Sequence, residues 1–558
     1  MSGDVHPKHE IPLGGGRLEG FQDRRAGIVD QQVDLAECLL GDGHGTLAVE
    51  RPNILVVVPE QWRGDLTGYA GHPVIRTPNL DGVTEDGGLA FTHAFSTNPI
   101  CGPSRCGMLS GWYPHTRGHR TQRYLLGPGE PNLMRDLKQA GYRTAMIGKN
   151  DVLHHSVVAE SLDLAGVPPR GRSPERRMNP YAPGDPRYYT FLWGAEPFPA
   201  EEHPDSHANR AALAFMDAAA GDAPFCCWLN YELAHPPYRV EEPWWSMYEP
   251  ARVGNLAAPP PSAGSRAGRK PVYVDLLHRA HRLHELPEQT LFEIRARYMA
   301  MISRVDALIG ELLAGLDERG LRESTALFIV ADHGNYGGDY GLPAKWWTGM
   351  EDALLRVPLV ARIPHQARTG VCHELVQHLD LNQSIRDLAG VPPRHATSSR
   401  SLVPLLRGAA SAHRDHVIAC SGHWFGQEAP LDLDRSQFVT LDDPDHLYFP
   451  WEQVIAQHPE ASCRTFVIRD ARWKYVWRSH DVDELYDLQA DPLEERNLLG
   501  GRGNGAPHGP AAQAWERLRT RVMREVFLSV DAVPPIYPDE PGSVHFIPAD
   551  RLGVWTTR

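Results

Sequence analysis

The chain has no C-x-x-C pair, no excess of basic residues and no apolar run near the ~18 residues that a membrane-spanning helix needs. Each absence removes a class of protein. The eight cysteines, Cys38, Cys101, Cys106, Cys226, Cys227, Cys372, Cys420 and Cys463, fit neither a zinc ribbon nor a disulfide framework. With 56 Lys and Arg against 70 Asp and Glu, the net charge of −14 argues against a nucleic-acid partner, which needs a basic surface. The opening segment MSGDVHPKHEIPLGGG carries no apolar stretch of the secretory kind, so the expected location is cytoplasmic, with no membrane partner. What is present is an ordinary globular composition. The 558 residues, 42% of them hydrophobic, can bury a large core without covalent staples, and 48 prolines with 51 glycines predict many loops.

Residues 1–50 are Gly-rich and weakly periodic and read as an extension, expected to be partly disordered. Asn53–Val58 (NILVVV) then begins regular structure as a near-continuous apolar run, the pattern of a strand buried on both faces in a parallel sheet. Thr144–Ile147, Phe225–Tyr231 and Ala326–Ala331 read the same way, and Leu286–Leu316 has helical spacing between two of them. Strands alternating with helices predict an α/β fold with a large, mostly parallel sheet over residues 51–410. After about Ser411 the texture changes. Thr465–Arg469 and Trp473–Trp477, joined by Asp470–Arg472, predict an antiparallel hairpin, and Ala511–Phe527 a helix, together a smaller α+β domain over 411–527. Residues 528–558 carry several prolines and read as an arm able to wrap a neighbour in a homo-oligomer.

Chemistry enters at Cys101-Gly-Pro-Ser-Arg105. The spacing puts a cysteine and an arginine near one helix N-terminus, a place that favours anions, although these five residues alone fit a buried structural cysteine better. Glu60 and Gln61 lie just past one predicted strand, and Asp332 and His333 just past another. In open α/β sheets the functional crevice lies outside the carboxyl ends of the strands. Two carboxylates, an amide oxygen and an imidazole meeting there suit Ca²⁺ or Mg²⁺, and the imidazole also admits Mn²⁺.

Cys101–Gly111, with Thr77–Asp81 before it and Gly111–His115 after it, resembles the sulfatase signature C-x-P-S-R-x-x-x-L-x-G. The similarity continues in order from Arg51 to Phe527. Arg51–Asp65 looks like the family's first strand and metal loop, Gly141–Lys149 like its lysine segment and Pro224–Tyr238 like its histidine segment. Val330–Gly334 with Gly338–Gly341 looks like its second metal segment, and Glu484–Leu488 through Leu498 like part of its C-terminal domain.

The resemblance implies an alkaline-phosphatase-like fold and hydrolysis of sulfuric esters, of the arylsulfatase kind. It implies that Cys101 is oxidised to formylglycine (3-oxoalanine) by a formylglycine-generating enzyme and also touches the metal. Glu60, Gln61, Asp332 and His333 would hold one divalent cation, Ca²⁺ first, with Mg²⁺ or Mn²⁺ as alternatives. Arg105 would help hold the nucleophile, Lys149 would contact it, Lys345 would clamp the substrate's oxygens, and His235 would protonate the departing alcohol, a role suited to a side chain titrating near neutrality. Two positions depart from the family. Glu60 stands where Asp is usual, and Asp151 where many members have a His that helps expel sulfate; Asp151 is a candidate base or a turn cap. The substrate is a small-molecule sulfate ester. A phosphonate monoester or phosphodiester is the alternative within the superfamily, and a non-catalytic anion-binding relic the alternative outside it. The organic half of the substrate would be set by loops such as Arg170–Pro186 and Ala257–Pro271.

Overall fold

The computed structural model describes residues 51–530 except 123, 167–178, 220, 222, 258–269, 424–442 and 500–506. The N-terminal extension, nearly all of the C-terminal arm and most of the two proposed specificity loops therefore lie outside the described residues. No described helix is long and apolar enough to cross a membrane.

Eight strands form the large sheet: β1 Asn53–Val58, β2 Leu89–Phe95, β3 Arg143–Gly148, β4 Leu164–Gly166, β5 Phe225–Asn230, β6 Thr325–Val330, β7 Arg356–Arg362 and β8 Gly370–Gln377, in the order β4-β3-β5-β1-β6-β7-β2-β8. Neighbours are parallel except at β6–β7 and β7–β2, so β7 alone runs against the rest. The expected α/β fold with a mostly parallel sheet is the one observed. The central strands explain themselves. Five of the six residues of β1 and all six of β5 and β6 are buried, because helices cover both faces of a parallel sheet. One covering helix is Glu288–Glu318, two residues offset from its predicted span, and another is Pro204–Ala219.

The register aligns the strand ends. Val58 and Gly148 both pair with Asn230, so β1, β3 and β5 finish in one row. Gly148 ends β3 at φ +87, and a Cβ there would meet the Asn230 carbonyl at 1.9 Å, so only glycine lets the chain turn at this row.

A second sheet comes later in the chain: β9 Val417–Ser421, β10 Thr465–Arg469, β11 Trp473–Arg478 and β12 Glu484–Asp487, antiparallel in the order β12-β11-β10-β9. The predicted hairpin is β10–β11. Period-two alternation divides its side chains between two layers. Ile418, Phe466, Ile468 and Tyr475 face Leu518 and Val522 of the helix Pro510–Val530. Val417, Val467 and Val476 pack instead on Phe95, Leu355 and Leu375 of the large-sheet region.

Candidate active site

Strand ends of the large sheet supply the site. β1 leads into Glu60 and Gln61, β3 into Lys149 and Asp151, β5 into His235, and β6 into Asp332 and His333. β2 leads through a short turn into the helix Cys101–Ser110, every residue of which is buried. Gly111, the last residue of the signature, stops this helix in the left-handed region at φ +73 and returns its N–H to the Gly107 carbonyl; a Cβ there would also strike Thr397. Lys345 comes from the loop between β6 and β7.

These elements converge on the Cys101 sulfur. Sγ lies 2.8 Å from Glu60 Oε1, 3.2 Å from His333 Nε2 and 2.9 Å from Lys345 Nζ. Lys149 Nζ donates to both oxygens of Glu60 at 2.7 and 2.9 Å and pairs with Asp151 at 2.9 Å. His235 Nε2 is 3.8 Å from Glu60 Oε1. Arg105 does not reach outward. Its Nε donates to Asp332 Oδ2 at 3.0 Å and its Nη1 to Asn230 Oδ1 at 2.5 Å, while Nη2 is buried without a partner. Gln61 takes a positive φ of +58, a conformation costing roughly 1–3 kcal/mol. It is held there by bonds from its N–H to Asp332 Oδ1 and from Tyr298 to its carbonyl, and its Oε1 accepts from Asn335 Nδ2 at 2.7 Å. All ten residues singled out from the sequence thus belong to one connected cluster.

The electrostatics follow from burial. Burial works to raise the Glu60 carboxyl, but Lys149, His235, Arg105 and Lys345 together hold it well below the usual range. Burial, aided by Glu60, pushes the Cys101 thiol up to about 12, so as an unmodified cysteine it is protonated and a poor nucleophile. Burial lowers His235 to about 4 against the pull of Glu60, with Lys345 and Lys149 adding to the drop. The expectation that His235 titrates near neutrality is corrected for this state: it is neutral. Burial likewise lowers His333 to about 4, and its Nδ1–H donates to the Gly334 carbonyl at 2.7 Å, leaving the Nε2 lone pair toward the cluster.

This arrangement has the order and spacing of a known family. The Sulfatase family model matches residues 52–391. The chain belongs to the sulfatase family. Among curated relatives, the multifunctional alkaline phosphatase superfamily protein PehA of Trinickia caryophylli is 26% identical over 497 residues, 81% of this chain and 91% of its own. The choline-sulfatase of Rhizobium meliloti (strain 1021) is 26% identical over 494 residues, 83% of this chain and 84% of its own. Among solved structures, the phosphonate monoester hydrolase of Agrobacterium radiobacter superposes with a TM-score of 0.66 at 21% identity, covering 86% of this chain and 95% of that one, a likeness of fold.

Sulfatases use a formylglycine and a divalent cation, and the donor set here fits a hard cation. Sγ of Cys101, a carboxylate oxygen of Asp332 and a ring nitrogen of His333 lie within 4.8 Å of one another, as do ligand atoms of Glu60, Cys101 and Asp151. Glu60 and Asp332 are carboxylates, the His333 Nε2 lone pair is free of a proton, and Gln61 Oε1 keeps a second lone pair beyond its bond from Asn335. Lys149, which neutralises Glu60 here, already has a second carboxylate in Asp151.

The supporting layer of this sulfatase is not legible in the sequence. Asn230 receives Arg105; Asn335 anchors Gln61; Ser104 Oγ donates to the Asp332 carbonyl at 2.6 Å and meets His378 Nε2 at 2.8 Å. Asn230 closes β5 and Asn335 lies two residues past His333, so strand-end position is the signal that could have found both.

Proposed function

We propose that this sulfatase hydrolyses sulfuric esters with the residue at position 101 as formylglycine, matured by a formylglycine-generating enzyme. The observation that carries the reading is the placing of the signature cysteine: its sulfur lies within 3.2 Å of Glu60, His333 and Lys345, at the centre of a hard-cation donor set. Sγ stands in for the oxygens of the hydrated aldehyde. That group supplies one hydroxyl as nucleophile and a second through which sulfate is expelled, avoiding an ester that external water would have to cleave. Glu60, Gln61, Asp332 and His333 would hold a divalent cation, which would supply Lewis acidity and a lowered hydroxyl pKa; Ca²⁺ is the first choice, with Mg²⁺ or Mn²⁺ next.

The chain's own residues do the rest. Lys345, 2.9 Å from the sulfur, meets the negative charge that builds on the transferring group. Arg105 fixes Asp332 and through it the Gln61 backbone. Lys149 holds the carboxylates of Glu60 and Asp151, and Asp151, with a carboxylate oxygen within 4.8 Å of the Cys101 sulfur, is the candidate base for the position-101 hydroxyl. His235 is the candidate general acid. It is neutral in the resting site, and an anionic ester beside it raises its pKa toward the protonated form the role requires.

A second reading is favoured by Gln61 in the metal loop, beside a likeness of fold to the phosphonate monoester hydrolase of Agrobacterium radiobacter: hydrolysis of phosphonate monoesters or phosphodiesters. Parallel assays with 4-nitrophenyl sulfate and a nitrophenyl phosphodiester decide between them. The proposal expects the larger kcat/KM with the sulfate, and the reverse order would install the second reading.

A further inference from the structure

Asp205, in the first turn of the helix Pro204–Ala219, is a buried carboxyl group that the mechanism above does not use. We infer that it is a positioning residue of the proposed reaction, one side chain that sets both His235, the candidate general acid, and Glu60, the candidate cation ligand. The inference rests on the sulfate-ester reading for the roles of those two residues.

Two hydrogen bonds lead from Asp205 to each of them. Its Oδ1 accepts from the Glu232 N–H at 2.8 Å and its Oδ2 from the Leu233 N–H at 3.0 Å, gripping the loop after β5 at two successive residues. Each gripped residue turns its own carbonyl to one member of the site. The Glu232 carbonyl accepts from the His235 N–H at 3.0 Å, and the Leu233 carbonyl from the Glu60 N–H at 3.0 Å. The Glu60 carbonyl completes the second link by accepting from the Ala234 N–H at 2.7 Å. β1 and β5 are paired as far as Val58 and Asn230, and this exchange carries their alignment past the strand ends. There His235 Nε2 stands 3.8 Å from Glu60 Oε1.

The residue type suits this task. Two adjacent N–H groups ask for two acceptor oxygens on one side chain, which a carboxylate has and Ser, Thr or Asn has not. Starting a helix does not ask for them, since those single-oxygen side chains serve there as well. A carboxylate is also the costly choice in this place. Burial lifts the Asp205 carboxyl to about 7 against the pull of the two N–H groups, with the Glu232 carboxylate adding to the rise. His203 brings no positive charge, because its Nδ1 accepts from the Asp205 N–H at 3.1 Å and burial lowers its pKa to about 3. Arg304, bonded to Glu241 and Ser206, adds only a smaller pull.

The test compares wild type, Asp205→Asn and Asp205→Ala in two ways. One is kcat of the formylglycine-bearing enzyme on an alkyl sulfate and on 4-nitrophenyl sulfate. The other is the affinity of the metal-stripped chain for Ca²⁺, Mg²⁺ and Mn²⁺ by calorimetry. Asp205→Ala should lose about 10- to 100-fold in kcat on the alkyl ester, the scale of a misplaced reacting group, and several-fold less on the nitrophenyl ester. It should also bind the ion that wild type holds about tenfold more weakly, as happens when the support behind a metal ligand is removed. Asp205→Asn, which keeps one of the two acceptor oxygens, should fall between. In a His235→Ala background the difference between the two esters should vanish, because the acid that Asp205 sets is gone. Equal losses on both esters, a difference that persists without His235, or an unchanged ion affinity would overturn the inference and leave the sulfate reading standing. A wild type inactive on every sulfate ester would overturn the sulfate reading, and the ion affinity would then decide the hold of Asp205 on Glu60. Should Asp205→Ala fail to fold, Asp205→Asn carries the same comparisons.

Discussion

The large sheet delivers every candidate catalytic side chain from its strand ends, its loops and the helix that follows β2, whereas the four-stranded sheet delivers none and instead helps hold one of those loops in place. Trp346 Nε1 and Thr348 Oγ1, on either side of the turn after Lys345, both donate to the Ala461 carbonyl at 2.9 Å. Arg478, on β11, donates to the Thr348 carbonyl at 2.9 Å and is itself braced by Glu484 at 2.8 Å. Trp346 further stacks on Tyr273 and meets Trp451 edge to face. Chemistry in one region therefore depends on positioning from the other. A side chain's distance from the reacting atoms and its importance to them are separate quantities.

Substitutions on the large-sheet side should be the most severe. Cys101→Ala should lower turnover by about 10⁴-fold or more, as removal of a covalent nucleophile does, with circular dichroism unchanged. Activity within tenfold of wild type would remove Cys101 from the mechanism. Asp332→Ala and Glu60→Ala should each release the divalent ion, read as metal content per chain and as a new dependence on added Ca²⁺, Mg²⁺ or Mn²⁺. Glu60→Asp should keep both metal and activity, since a carboxylate remains. Full metal content in Asp332→Ala would refute the proposed ligand set.

His235→Ala discriminates by leaving group. General acid catalysis contributes ~10²–10⁴-fold, so an alkyl sulfate, which leaves as a poor alkoxide, should suffer at least tenfold more than nitrophenyl sulfate. Equal losses would reassign proton donation, with Lys345 next in line.

Smaller effects come from the four-stranded side. Thr348→Val removes one bond to Ala461, worth about 1 kcal/mol of stability, and should lower kcat several-fold with little change in KM, because Lys345 acts on the transferring group. A change in KM alone would deny the positioning role. The last effect is on the pH dependence of stability rather than on turnover. Burial lowers His115, which stacks with Tyr113 beneath this sheet, to about 3. Its folded pKa lies below its unfolded one, so the unfolded chain binds the extra proton between about pH 6.5 and 3. Stability is therefore whole above that window and falls as the pH drops through it, by up to about 1.4 kcal/mol per unit. His115→Gln should flatten the slope of Tm between pH 6.5 and 5, and an unchanged slope would mean that other groups set it.

Some of this is readable in the chain and some is not, for physical reasons. β1, β3, β5 and β6 announce themselves because strands buried on both faces need unbroken apolar runs. β2, β7 and β8 do not: β2 carries Thr92 and His93 beside a bulge, β7 has Pro358 inside it, and β8 is an edge strand with exposed residues. The candidate metal and catalytic residues stand out because the signature is local and the other segments flank it in order. The supports Asn230, Ser104, Asn335 and His378, and the Ala461 and Arg478 brace, stay hidden because each acts across more than a hundred residues of chain or within a motif whose other members draw the eye. Folding brings them together, and no spacing records it. The acidity of His235 escapes sequence reasoning for a related reason, since the groups that half-bury it and its cationic neighbours Lys149 and Lys345 come from distant segments.

Everything proposed for the mechanism depends on position 101 acting as formylglycine. The decisive measurement is the mass of the Cys101-containing peptide, taken from a preparation that hydrolyses 4-nitrophenyl sulfate. The peptide should be ~18 Da lighter than the cysteine form, with activity rising in proportion to that fraction across preparations made with and without a formylglycine-generating enzyme. Full activity in a preparation whose Cys101 remains entirely a thiol would contradict it.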